Sequence, residues 1–107
     1  MPDKLCPDSP SPEEKNALLS LRAQIDELDK TLQELFERRM ALVEEIAAYK
    51  HAHAMPVLDP IREAEKLAAV GERAAAGLAS CDEAFFRQLM ALSRQRQEEL
   101  LKGENIP

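Results

Sequence analysis

The sequence contains no tryptophan, one tyrosine and three phenylalanines, and its aromatic content is only 4%. It has three glycines in 107 residues and few β-branched positions, so it lacks the turn and strand formers that a β-rich fold needs. No apolar run approaches the roughly 18 residues of a membrane-spanning helix. No hydrophobic stretch follows Met1-Pro2-Asp3-Lys4, so no secretory signal is read. The two cysteines, Cys6 and Cys81, lie in unlike contexts and form neither a metal motif nor a disulfide framework. The expected compartment is therefore the cytoplasm, with both thiols free. An excess of basic residues is also missing: the formal charge is −6 and the isoelectric point is near 4.9. A general nucleic-acid binder needs the opposite sign or a dense basic stripe. What remains is rich in Ala, Leu, Glu, Arg, Gln and Lys, a helical composition sized for one domain at most.

Prolines divide the chain. Pro2, Pro7, Pro10 and Pro12 crowd the first dozen residues, which have almost no apolar content. Residues 1–11 therefore read as a flexible proline-rich tail, 12–103 as a helical domain and 104–107 as a C-terminal tail. Ser11-Pro12-Glu13-Glu14 is a helix start, with serine as N-cap, proline at the first helical position and glutamate three residues after the cap. Neither Gly nor Pro then interrupts the chain until Pro56. Leu18, Leu21, Ile25, Leu28, Leu32 and Leu35 recur at spacings of three and four, and the seam runs on through position 39 to Leu42, Ile46 and Tyr49. This predicts a helix over roughly residues 12–53, about 60 Å long. A globule of this size has a radius of gyration of about 13 Å, so such a helix outruns its own domain. A homodimer is the simplest way to bury its seam.

Two shorter helices follow. Asp59-Pro60 repeats the cap-then-proline start, and Ile61, Ala64, Leu67 and Ala68 carry the second helix until it fades between Gly71 and Gly77. Ser80-Cys81-Asp82-Glu83 reads as a capping box opening a third helix. That helix carries Phe85, Phe86, Leu89, Met90, Leu100 and Leu101, with Lys102-Gly103 as its basic last turn and terminator. The fold class is all-α: one long, one short and one medium helix per chain, in an intertwined homodimer.

The chemistry lies where polar residues interrupt apolar stripes. Arg39 sits on the seam, four residues after Leu35 and three before Leu42. Lys50 is eleven residues on, and eleven steps of about 100° return it to within roughly 20° of Arg39. Either both cations pair with acids on neighbouring helices, or they face a ligand across the apolar strip of Val43 and Ile46. Arg22 flanks the same seam some 25 Å earlier and cannot join Arg39 within one chain, although an antiparallel partner helix could deliver it. By itself it reads as a surface cation. Ser93 and Gln97, four residues apart, continue the third helix's apolar stripe and are either a satisfied core contact or the wall of a polar pocket. Asp59, Arg62 and Glu63 open the second helix, where free backbone N–H groups favour anions; ordinary first-turn chemistry explains them equally well. His51 and His53, at the frayed end of the first helix, read as exposed. Three arginines, a lysine, a serine, a glutamine and a glutamate around an apolar cavity would suit a compact ligand with two carboxylates and a hydroxyl, since arginine forks bind carboxylates in pairs. No Ser/His/Asp set, metal cluster or glycine-rich phosphate loop is present.

These residues form a recognisable series: Leu18-Leu19-Ser20-Leu21-Arg22-Ala23-Gln24-Ile25-Asp26-Glu27-Leu28-Asp29, then Glu37-Arg38-Arg39, Tyr49-Lys50, Pro56-Val57-Leu58-Asp59-Pro60-Ile61-Arg62-Glu63 and Ser93-Arg94-Gln95-Arg96-Gln97. In order and spacing it resembles the all-α class of chorismate mutases from about Asn16 to Leu101. The resemblance implies an intertwined dimer with two equivalent sites and the Claisen rearrangement of chorismate to prephenate, the branch step toward phenylalanine and tyrosine. No metal or cofactor is implied. By position, Arg22 of the partner subunit and Arg39 would clamp the substrate carboxylates, supported by Arg62 and Ser93. Lys50 and Gln97 would donate to the ether oxygen. Glu63 and the backbone at Asp59 would hold the ring hydroxyl. Lys50, Gln97 and Arg39 would be the catalytic set. The rival readings are an isochorismate-pyruvate lyase of the same fold and a non-enzymatic helical dimerisation module.

Overall fold

In the computed structural model, the structure describes residues 11–104, so residues 1–10 of the tail expected at 1–11, and residues 105–107, lie outside the described residues. Three helices make up the architecture: α1 (Pro12–Ala52), α2 (Pro60–Arg73) and α3 (Ala79–Glu104). The chain is all-α among the described residues. Ser11 closes the expected capping box on α1: its Oγ accepts from the Glu14 amide at 3.1 Å, and the Glu14 carboxylate accepts from the Ser11 amide at 2.7 Å.

The end of α1 is built as tightly. The Met55 amide donates to the Lys50 carbonyl at 2.8 Å and the Ala54 amide to that of His51 at 3.3 Å, the paired bonds of a Schellman ending. Ala54 carries the left-handed conformation that such an ending requires, at φ 54°, without the freedom of glycine. His51 and His53 are exposed, as expected, and His53 stacks on the Tyr49 ring. Six residues later the Asp59 carboxylate accepts from the Arg62 amide at 3.0 Å and caps α2, with Pro60 in the first turn.

The start and end of α3 differ from the sequence expectation. Gly77, at φ 83°, turns the chain early, and the first helical bond runs from the Asp82 amide to the Leu78 carbonyl. Leu78 therefore stands at the cap, and Ser80 lies inside the first turn rather than opening a capping box. The Glu83 carboxylate instead reaches toward Gly71 of α2, where a Cβ would come within 2.7 Å of it. At the other end Gly103 is helical and α3 continues through Glu104, so Gly103 is no terminator.

The chain divides into two units, Met1–Glu37 and Arg38–Pro107. In the first, the described residues are a single stretch of α1, whose seam residues Leu18, Leu21, Ile25, Leu28, Leu32 and Leu35 are all exposed, Leu28 at 68%. In the second, Val43 and Ala47 of α1, Val70 of α2 and Leu89 and Met90 of α3 form a small core. Arg96 of α3 straps onto Glu44 of α1 through two bonds of 3.0 and 2.8 Å, and this hydrogen bond and charge raise the guanidinium pKa. The apolar stripes expected on α2 and α3 are only partly inward: Ile61 and Phe85 are exposed, Phe86 is half-buried beside Arg73, and Val70 is the deepest residue of α2. Among the described residues no helix is long and apolar enough to cross a membrane.

The left-handed Ala54 carries a Cβ clash worth about 1 kcal/mol. Ala54→Gly is expected to stabilise the second unit by about that amount in denaturant unfolding, because the Schellman bonds are kept.

Candidate active site

The second unit holds a cavity of about 490 Å³, within the range of small-molecule sites. One wall is α1, with Arg39, Val43, Ile46 and Lys50; Val57 and Asp59 close the end; Arg62, Glu63 and Lys66 come from α2; Met90, Ser93, Arg94 and Gln97 come from α3. Seven of the eight residues expected at the site line this one space. The eighth, Arg22, is exposed on the other unit's stretch of α1 and is not among the lining residues.

Two alternatives left open by spacing are resolved here. Among the described residues Arg39 and Lys50 do not pair with acids. Arg39 Nη1 donates to Ser93 Oγ at 2.5 Å, and Lys50 Nζ donates to the Val57 carbonyl at 2.8 Å. Neither takes part in a salt bridge among the described residues. Ser93 is buried and donates in turn to the Leu89 carbonyl at 2.8 Å, so its lone pair is fixed toward the guanidinium. Burial pushes the Arg39 pKa below its usual value, but an arginine remains charged at any physiological pH. The site thus presents a cation whose charge is unanswered among the described residues of the unit. Lys50 keeps two more N–H donors after bonding Val57, and that bond ties the 53–59 segment back to α1.

Gln97 is 6% exposed, yet its Oε1 is buried without a hydrogen-bond partner. A buried polar atom left unpaired costs about 1–3 kcal/mol. Either orientation of this amide offers a ligand a polar group from a wall otherwise apolar at Val43 and Met90. Ser93 and Gln97 both line the cavity, Ser93 with its hydroxyl satisfied by Arg39 and Leu89, Gln97 with its buried oxygen unpaired.

Sequence reading missed three features. Glu63 does not stand beside Arg62 as a free acceptor: Arg94 Nη1 bonds both of its carboxylate oxygens, at 2.6 and 2.5 Å. Arg94 directly follows Ser93, and the only signal for it was that adjacency. Lys66 lines the cavity at helical spacing from both Arg62 and Glu63, a periodicity that was legible. The Val57 carbonyl, as a backbone group, left no mark in the sequence. Arg62 uses its amide to cap with Asp59, so first-turn chemistry and cavity lining coexist in α2.

Fold and cavity define a helical domain that gathers cations around a small, partly apolar space. The profile of the chorismate mutase type II family matches residues 21–98, and the chain belongs to that family. It is 43% identical over 53 residues to the T-protein of Haemophilus influenzae, covering 50% of this chain and 14% of that protein. It is 45% identical over 49 residues to a 4-amino-4-deoxychorismate mutase of Streptomyces venezuelae, covering 46% of this chain and 48% of that protein. These matches span less than half the length of the relatives.

The excess of cations has a cost when no ligand is bound. Burial first, then the charges of Arg62, Arg39 and Arg73, holds the Lys66 pKa below the ordinary lysine range. A lowered base pKa means that the folded chain binds this proton less tightly than the unfolded chain. The penalty is fully present at neutral pH and fades as pH rises through the lowered pKa. Lys66→Met is therefore expected to raise the melting temperature of the ligand-free protein at pH 7, with a difference that narrows at alkaline pH. A difference constant across pH would remove charge repulsion as its cause.

Proposed function

We propose that this protein is a chorismate mutase converting chorismate to prephenate, acting in the cytoplasm as a homodimer. The observation that carries the reading is the pair of cations Arg39 and Lys50 on the α1 wall, neither bonded to an acid among the described residues, sharing a cavity of substrate size with Gln97 of α3. An intramolecular pericyclic rearrangement needs no nucleophile and no base. It needs the substrate held in its compact pseudo-diaxial conformer, which is a positioning effect. Arg39, aligned by Ser93, would clamp one carboxylate, with Arg62 adding to the positive field. As the C–O bond breaks, negative charge grows on the ether oxygen. Donors from Lys50 and Gln97 aimed there stabilise the transition state more than the ground state. Glu63 and the backbone at Asp59 would receive the ring hydroxyl.

The second carboxylate calls for another cation, and Arg22 of a partner subunit would supply it. The exposed seam from Leu18 to Leu35 supports a second copy as its cover, since burying such residues contributes about 1.5–3 kcal/mol each. The net charge of −6 opposes a dianionic substrate, so attraction must come from the local cations.

The likeness to a 4-amino-4-deoxychorismate mutase favours a second reading, in which the ring carries an amino group in place of the hydroxyl. An isochorismate-pyruvate lyase would place the hydroxyl at another ring carbon and leave Glu63 without a target. A dimerisation module would have no use for a cavity with unanswered cations.

Incubation with each substrate separately, following prephenate at wild type and at Lys50→Ala, tests the reading. Losing one oxyanion-type donor is expected to cut the rate about 10²–10³-fold. Gln97→Glu is expected to be active only at acid pH, where the new carboxyl is protonated and can donate; a flat pH profile would contradict the donor role. The shared site has its own test. Arg22→Ala and Lys50→Ala chains, each inactive alone, should regain about a quarter of wild-type activity when refolded together, because half the dimers form mixed and each holds one intact site. Activity no greater than the sum of the separate variants would place Arg22 outside the site.

A further inference from the structure

The Glu63 end of the cavity is not the acidic acceptor that its sequence implies. Arg94 of α3 donates from a single guanidinium nitrogen to both carboxylate oxygens, and both side chains are largely removed from water, at 32% and 25% exposure. A carboxylate so engaged keeps lone pairs for a neutral hydroxyl donor, but its charge is neutralised. The other charged groups lining that end are Asp59, whose carboxylate caps α2, and the cations Arg62 and Lys66 on α2. Lys66 stands one turn beyond Glu63 and has no salt bridge among the described residues.

We propose that Arg94 is a specificity-determining positioning residue: by neutralising Glu63 it tunes this end of the cavity for a ring hydroxyl and against a ring ammonium. The inference rests on the chorismate-type reading above and decides between its two substrate forms. An allylic amine is largely protonated at neutral pH. Brought to this wall, it meets the Glu63 carboxylate already paired, the Asp59 carboxylate engaged with the first turn of α2, and the two cations Arg62 and Lys66, in a space where charges are weakly screened. A hydroxyl can donate to the Glu63 oxygens and meets no such repulsion. Arg94 need not touch the substrate; it acts through Glu63.

The experiment measures kcat/KM for the hydroxy and the amino substrate in wild type, Arg94→Leu and Glu63→Gln/Arg94→Leu. Wild type is expected to prefer the hydroxy substrate. Arg94→Leu frees the Glu63 carboxylate to bind the ammonium, and the preference should move about tenfold toward the amino substrate, the value of one charge-assisted contact. In the double variant position 63 carries no carboxylate, so the preference should return toward that of wild type. A general loss of structure would lower both rates together and leave their ratio in place, and Arg94→Lys, which keeps a cation beside Glu63, should hold the wild-type ratio. An unchanged ratio in Arg94→Leu, with hydroxy-substrate turnover retained, overturns the role of Arg94. A wild-type preference for the amino substrate also overturns it. Turnover of neither substrate by wild type overturns the underlying reading instead.

Discussion

The structure depends on an imbalance of charge that the second unit does not correct. Arg39 sits on an apolar stripe and, among the described residues, is answered only by the hydroxyl of Ser93. A guanidinium in such a place is stable because its hydrogen-bonding geometry is met, while its charge is left for something else. Lys50 repeats the arrangement with a backbone carbonyl as its partner. In both cases a neutral acceptor fixes the cation's direction without neutralising it. A carboxylate in either position would have made a structural ion pair and closed the site to an anion.

Helix ends supply the rest of the positioning. The Schellman ending after α1 and the Asp59 cap on α2 lie seven residues apart, from Ala52 to Asp59, and between them the chain reverses with Val57 pinned to Lys50. The accepted strain at Ala54 lies beside this reversal. Lys50 therefore ends one helix, orients the linker and faces the cavity. Arg62 and Glu63 then enter from the first turn of α2, where the helix dipole adds to the positive field.

Electrostatics in this cavity are local. A chain of net charge −6 still presents five lining cations against two lining acids, one of which is neutralised by Arg94. At these separations a nearby cation outweighs the many distant surface acids, which solvent and salt screen. The lowered Lys66 pKa reflects its burial first, and then the charges of Arg62, Arg39 and Arg73.

Much of the site was legible because it follows from helical periodicity. The spacing of Arg39 and Lys50, the pair Ser93 and Gln97, and the caps at Ser11 and Asp59 are local consequences of 3.6 residues per turn and of orphan backbone donors. The failures were also local rules, overridden by neighbours: Gly77 turned the chain before Ser80 could cap α3, and Gly103 simply stayed helical. Periodicity gives the face a residue occupies but not its partner across a helix gap. By itself the sequence determined the all-α class, the three elements and the stripe on which each cation falls. Only the tertiary structure decided that Arg39 takes a serine, that Glu63 takes Arg94 and that Gln97 remains unpaired, because pairing across helices depends on distances that no spacing along the chain contains.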